Sequence, residues 1–315
     1  MPAFFTHYLF GRIAYQHMEE GLLKQYVRRH KKVYALGLSG PDIFFYFVPD
    51  QLLREKPGSV MHEKACGAFL RHMLQEVMLL KGEEQEIGVA YLSGFVGHYE
   101  LDSYCHPHVY QYIEDAAQDG RETSRAVPRN KKTGIHFRYE CAMDYYFLKH
   151  YTNKTPSQLK QNKIVHLTRQ ERKVICRLVA AAYNRTYASP NLSTVSMQMV
   201  LGSLRLVMHA IRDKKGRREK IVLPLEQLFY GYPFLTGLFV NDNCYGVEIK
   251  EWKIMDNLFR KAMEDYENVI KAMEKVLEEA KEPGGQGENG RAMQKAKKEF
   301  YTKLGSRSYH TGLTV

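Results

Sequence analysis

One stretch of the chain constrains its fold more than any other: Ile87 to Gly97, almost entirely apolar or small, runs straight into Gly97-His98-Tyr99-Glu100-Leu101-Asp102-Ser103-Tyr104-Cys105-His106-Pro107-His108. Read as one helix, it places His98, Asp102 and His106 at i, i+4 and i+8, on a single face. The apolar turns before them predict a helix that runs through the core, where a carboxylate is costly unless it is paired or bound to a metal. Composition alone supplies on the order of 0.02 such His-x3-Asp-x3-His triplets by chance, so the pattern counts as a motif. Eight helical residues rise about 12 Å, whereas zinc–nitrogen bonds are about 2 Å, so His98 and His106 cannot share one ion. The triplet implies at least two metals.

Helical periodicity dominates elsewhere, and sustained strand-type alternation is hard to find, so the expected class is all-α in a compact multi-helix domain. Helices are predicted over about Ser59 to Leu80, Glu84 to Gln118, Gly134 to His150, Thr168 to Tyr187, Thr194 to Arg212 and Glu251 to Ala280. Breakers fall between them, including Ser39-Gly40-Pro41-Asp42, Lys56-Pro57-Gly58-Ser59, Asp119-Gly120, Val127-Pro128, Ser189-Pro190-Asn191 and Gly231-Tyr232-Pro233. Met255, Leu258, Phe259, Ala262, Met263, Tyr266, Val269, Ile270, Met273 and Leu277 form one stripe, which predicts packing against a core. The expected organisation is one helical domain over 1–280. Residues 281–315 follow as a flexible linker (Glu282 to Gly290), a short basic helix and a peripheral tail.

With 315 residues and 44% hydrophobic content the chain can bury a real core. Its five cysteines (Cys66, Cys105, Cys141, Cys176 and Cys244) contain no CxxC pair and read as reduced packing residues. The first residues lack the pattern of a secretory signal, and the most apolar run, Ile221 to Val240, is too broken by Pro224, Glu226, Gly231, Pro233 and Gly237 to span a bilayer. A cytoplasmic protein with no transmembrane segment is expected. The net charge of +11 fits phosphate-bearing partners: nucleic acid, anionic lipid or a phosphorylated small molecule. The basic clusters at Arg28 to Lys32, Arg129 to Lys132 and Arg212 to Lys220 are expected to be solvated loops.

His136 and Glu140 stand one helical turn apart; Asp42 follows a Gly-Pro turn; His62 opens the helix after Pro57-Gly58; His7 lies near the N-terminus. The order His7, Asp42, His62, His98, Asp102, His106, His136, Glu140 resembles the zinc-dependent phospholipase C family, whose fold is shared with the S1/P1 nucleases. The resemblance covers about residues 1–150. It implies one zinc on Asp42, His62, His98 and Asp102, a second on His106, His136 and Glu140, and a third near His7 and the other oxygen of Asp102. The family's spacing, six residues beyond the bridging Asp, would choose His108, while the helix face chooses His106; His106 is taken, with His108 as the alternate. The implied activity is phosphoric ester hydrolysis by zinc-activated water. Asp42 is the candidate catalytic residue, orienting or deprotonating that water, and Arg138 is a candidate for a phosphate oxygen.

The substrate class implied is a phosphodiester, phospholipid among them. A single-strand nuclease of the same fold is the first alternative, although no platform of aromatic and basic residues is legible in the sequence. A non-catalytic, metal-stabilised interaction protein is the second. In that case Arg212 to Lys220, with Leu225, Leu228, Phe229, Tyr230, Tyr232, Phe234 and Phe239, would rest on an anionic membrane. Core packing of these apolar residues is the favoured expectation. Without metal, the same side chains would form buried imidazole–carboxylate pairs.

Overall fold

The computed structural model describes residues 4–47, 56–118, 128–188, 191–281 and 290–315. The predicted linker over 282–289, the turn at Asp119-Gly120 and the breakers Val127, Ser189 and Pro190 lie outside the described residues. Thirteen α-helices are described: α1 (Phe4–His17), α2 (Leu22–Arg29), α3 (Lys31–Gly37), α4 (Pro57–Glu63), α5 (Cys66–Leu79), α6 (Gly82–Gln118), α7 (Arg129–Thr152), α8 (Gln161–Ile164), α9 (Arg169–Thr186), α10 (Thr194–Ala210), α11 (Arg217–Tyr230), α12 (Ile249–Glu279) and α13 (Arg291–Leu304). A 3-10 segment, Gly40–Tyr46, follows α3, and another, Leu235–Leu238, follows α11. No strand occurs among the described residues, and the fold is all-α.

α6 is the axis of the molecule. Its 37 residues span about 55 Å, and it packs against α1, α2, α3, α5, α7, α9 and α12. Ile87, Ala90, Leu92, Phe95 and Val96 are fully buried, as the apolar run requires. Where α3 crosses α6, a Cβ on Gly37 would strike the Tyr91 carbonyl, and one on Gly94 would strike that of Tyr34. The two backbones therefore approach through a pair of glycines. α12 buries its predicted stripe, apart from half-buried Leu258, in packing against α6 and α13, and the Tyr266 hydroxyl lies 3.1 Å from the Ser93 carbonyl and 3.1 Å from the Tyr34 hydroxyl.

Three expectations are corrected. The single helix from Ser59 to Leu80 is two, because Ala65 adopts φ 50° and turns the chain between α4 and α5. The C-terminal region is not peripheral. α13 buries Met293, Ala296, Phe300 and Leu304, and Tyr309 beyond it is buried too. Arg307 pairs with buried Glu100 of α6 and lies over the rings of Tyr99 and Tyr104. Pro107 cannot donate to the Ser103 carbonyl, and Gly312 packs there so closely that a Cβ would stand 2.7 Å from that oxygen. Finally, Leu225, Leu228, Phe229 and Tyr230 are exposed rather than in the core, and Tyr232, Phe234 and Phe239 are half-buried.

The start of α1 is held from a distance. Asp144 of α7 accepts from the Phe5 amide (3.1 Å), the Thr6 amide (2.7 Å) and the Thr6 hydroxyl (2.7 Å), which caps the helix that carries His7. Asp144→Ala leaves these buried donors without an acceptor and should cost about 2 to 4 kcal/mol. The urea unfolding midpoint measures it; a midpoint within error of wild type contradicts the capping role.

Candidate metal centre

Five elements bring their polar side chains to one place. His7 comes from α1, Asp42 from the 3-10 segment after α3, His62 from α4, His98, Asp102 and His106 from α6, and His136 and Glu140 from α7. Every one is buried except His136, whose side chain is 16% exposed. Asp42, His62, His98 and Asp102 converge as one potential metal-holding group, and His106, His136 and Glu140 as a second.

Asp102 sits between them with both oxygens engaged. Its Oδ2 is 3.0 Å from His98 Nε2 and 3.9 Å from His62 Nε2. Its Oδ1 is 3.1 Å from His7 Nε2 and 3.6 Å from His106 Nε2. Asp42 Oδ1 lies 3.1 Å from His62 Nε2 and 3.7 Å from His98 Nε2. In the second group Glu140 Oε1 is 3.0 Å from His136 Nε2 and 3.4 Å from His106 Nε2. The ring of His7 stacks on that of His98 at 4.3 Å.

The donor set fits zinc. Two ligands, each about 2.0–2.1 Å from one tetrahedral zinc, stand about 3.4 Å apart, which matches the spacings above. Asp42 Oδ1, His62 Nε2, His98 Nε2, Asp102 Oδ2 and His136 Nε2 are buried and make no hydrogen bond despite this proximity, because their lone pairs converge on the space between them. The outer nitrogens fix the tautomers: His62 Nδ1 is 2.6 Å from the Gly58 carbonyl and His98 Nδ1 is 3.1 Å from that of Leu38, so each ring donates outward and presents Nε2 inward. Gly40, at φ 47°, completes this packing, since a Cβ there would fall inside the His98 ring.

Burial by itself would raise the Asp102 carboxyl, but the imidazoles of His106, His98 and His7 outweigh it and hold the group well below the usual carboxylate range. Glu140 is likewise held well below that range against its burial, chiefly by His136 and His106. Burial opposes protonation of His106, yet Asp102 and Glu140 prevail and push it up to about 9.

His108 does not join either group. It turns away to Glu251, 2.9 Å from its Oε2, so the helix face rather than the six-residue spacing identifies the inward imidazole. Arg138 is half-buried, over the Tyr245 ring and 3.4 Å from Thr236 Oγ1, not poised as a phosphate clamp in the cluster. Two neighbours of the cluster carried no signal in the sequence. The Tyr309 amide donates to the His62 carbonyl at 2.9 Å, and the His310 ring lies 5.4 Å from His62, 6.2 Å from His106 and 5.0 Å from Tyr110. Burial, with the imidazoles of His62 and His106, holds His310 down to about 3. A lone histidine in a polar tail offers no spacing by which it could be found.

The side chains at this edge are the more accessible ones, with neighbouring His310 27% and cluster residue His136 16% exposed. Pairing with Asp102 and Glu140 favours the protonated form of His106 at neutral pH, and a metal held by this ring would displace that proton. Zinc affinity should therefore rise with pH up to about 9, by about tenfold per unit for each proton released. Calorimetric titration of chelated protein in buffers of different ionisation enthalpy reads the released protons, and a pH-independent affinity contradicts the assignment.

The family model described as "Zinc dependent phospholipase C" matches residues 6–188, a span that contains all eight residues of the cluster. No curated protein and no solved structure matches the chain.

Proposed function

Because the chain belongs to the zinc-dependent phospholipase C family, we propose that its buried cluster binds two or three zinc ions and hydrolyses a phosphodiester, with phospholipid as the substrate class. Asp42, His62, His98 and Asp102 would hold one ion, and His106, His136 and Glu140 a second. A third would rest on His7 and Asp102 Oδ1. The observation that carries this reading is the position of Asp102, whose two oxygens face different sets of imidazoles at 3.0–3.9 Å.

Zinc held there supplies a Lewis acid that lowers the pKa of water toward neutrality and offsets charge on phosphoryl oxygens. The chain's own residues do the rest. Burial would raise the Asp42 carboxyl, but His98 and His62 hold it below its ordinary value. It stays ionised, so it orients the attacking water by accepting its hydrogen bond and is too weak a base to keep the proton. Substrate enters past His136 and His310, and the Tyr110 phenol at that edge, its pKa raised by burial, remains a hydrogen-bond donor for a phosphoryl oxygen.

A groove of about 540 Å³ bearing Tyr8, Tyr15, Arg12, Arg28, Lys31 and Lys32 favours the second reading, a single-strand nuclease, because it pairs aromatic rings with cations. Both substrates belong in one assay. Phosphatidylcholine should release a phosphorylated head group, chelation should abolish this, zinc should restore it, and Asp42→Asn should lower kcat at least about a hundredfold. Strand cleavage without head-group release would transfer the activity to nucleic acid, and no hydrolysis of either would remove the enzymatic reading in favour of a metal-stabilised interaction protein.

A further inference from the structure

α11 is amphipathic in the reverse of the usual sense. Its carboxylates face the protein: Glu226 is buried and accepts from the backbone amides of Leu235 and Thr236, and Glu219 accepts from the side-chain amides of Asn241 (2.7 Å) and Asn243 (3.1 Å). Asp213, just before the helix, is buried and takes the amides of Arg217 and Glu219, each at 2.9 Å. The apolar residues point the other way. Ile221 is 67% exposed, Leu225 50%, Leu228 77% and Phe229 74%, and their spacing of i, i+4, i+7 and i+8 puts them on one helix face. Lys214, Lys215, Arg217, Arg218 and Lys220 are exposed at the N-terminal end of that helix.

A run of exposed apolar side chains on one helix is costly in water and marks a surface that another phase or molecule covers. Charge decides which. From Ile211 to Leu235 each of the three carboxylates is turned inward, while five of the six cations, all but half-buried Arg212, remain outside beside the apolar face. That arrangement complements a layer of anionic head groups over hydrocarbon. The segment following α11 packs on α7 beside His136: Phe234 stacks on Phe137 at 6.5 Å, and Gly134 lies so close to Pro233 that a Cβ would strike its carbonyl.

We infer that α11 is a membrane-docking helix, which lies in the surface of an anionic bilayer with Ile221, Leu225, Leu228 and Phe229 below the head groups and the five cations among them. Docking is independent of catalysis. The further step, that docking brings lipid substrate to the helix bearing His136, rests on the function proposed above.

Cosedimentation of the full-length protein with vesicles tests this, using phosphatidylcholine alone and phosphatidylcholine mixed with phosphatidylserine. Wild type should sediment with the mixed vesicles and release at high salt. The double variant Leu228→Glu/Phe229→Glu should lower partitioning about a hundredfold, and Lys214→Gln/Lys215→Gln/Arg217→Gln about tenfold or more. Both sets alter exposed side chains, so unfolding midpoints should match wild type, as should hydrolysis of a short-chain, monomeric phosphodiester. Vesicle binding without any hydrolysis supports docking and counts only against the proposed function. No vesicle binding by wild type, or binding unchanged in both variants, overturns the inference. So does a wild-type dimer that Leu228→Glu/Phe229→Glu converts to monomer without any lipid binding, since the face would then serve self-association.

Discussion

The structure is organised around one desolvated carboxylate. Asp102 lies deep on α6, and its ionised form survives there because four imidazoles surround its two oxygens. Removing a carboxylate from water costs several kcal/mol unless the surroundings return it. That requirement explains why five separate elements converge on one point of the core helix. The surrounding backbone shares the task, since the carbonyls of Leu38 and Gly58 orient the rings of His98 and His62.

The same requirement extends outward. α1 can present His7 only if its first turn is satisfied, and Asp144 satisfies it from across the molecule. Leu38, just after α3, can bring its carbonyl to His98 because Gly37 and Gly94 let the two backbones meet. The C-terminal segment closes the remaining side, tied to α6 through Arg307 and Glu100 and to α4 through the Tyr309 amide. Helix packing and site geometry are thus one problem, and the glycines and buried carboxylates that look unremarkable in isolation are terms in it.

What was legible in the sequence followed from periodicity and spacing. The His98, Asp102 and His106 face, the α12 stripe and the all-α class all follow from residues repeating every turn, which local geometry dictates. Choosing His106 over His108 needs only the helical repeat, because two further residues turn the helix by about 200° and carry His108 to the side away from Asp102. Long-range partners left no such trace. Asp144 is one acid among many until Phe5 and Thr6 fold against it, and His310 stands some 170 residues from Glu140 in a polar tail that the sequence places at the periphery. The outward apolar face of α11 is not legible in the sequence for a physical reason. Its pattern is that of any amphipathic helix, and only the inward turn of Glu219 and Glu226 reveals which side faces water.

The central claim is that Asp102 joins two groups of metal ligands, and elemental analysis of metal per chain tests it most directly, on wild type beside Asp102→Ala. The account predicts two or three zinc ions per wild-type chain and a sharp fall in the variant. A wild-type protein that remains folded without metal after purification in zinc-containing buffer would contradict it, and would leave the cluster as a set of buried imidazole–carboxylate pairs.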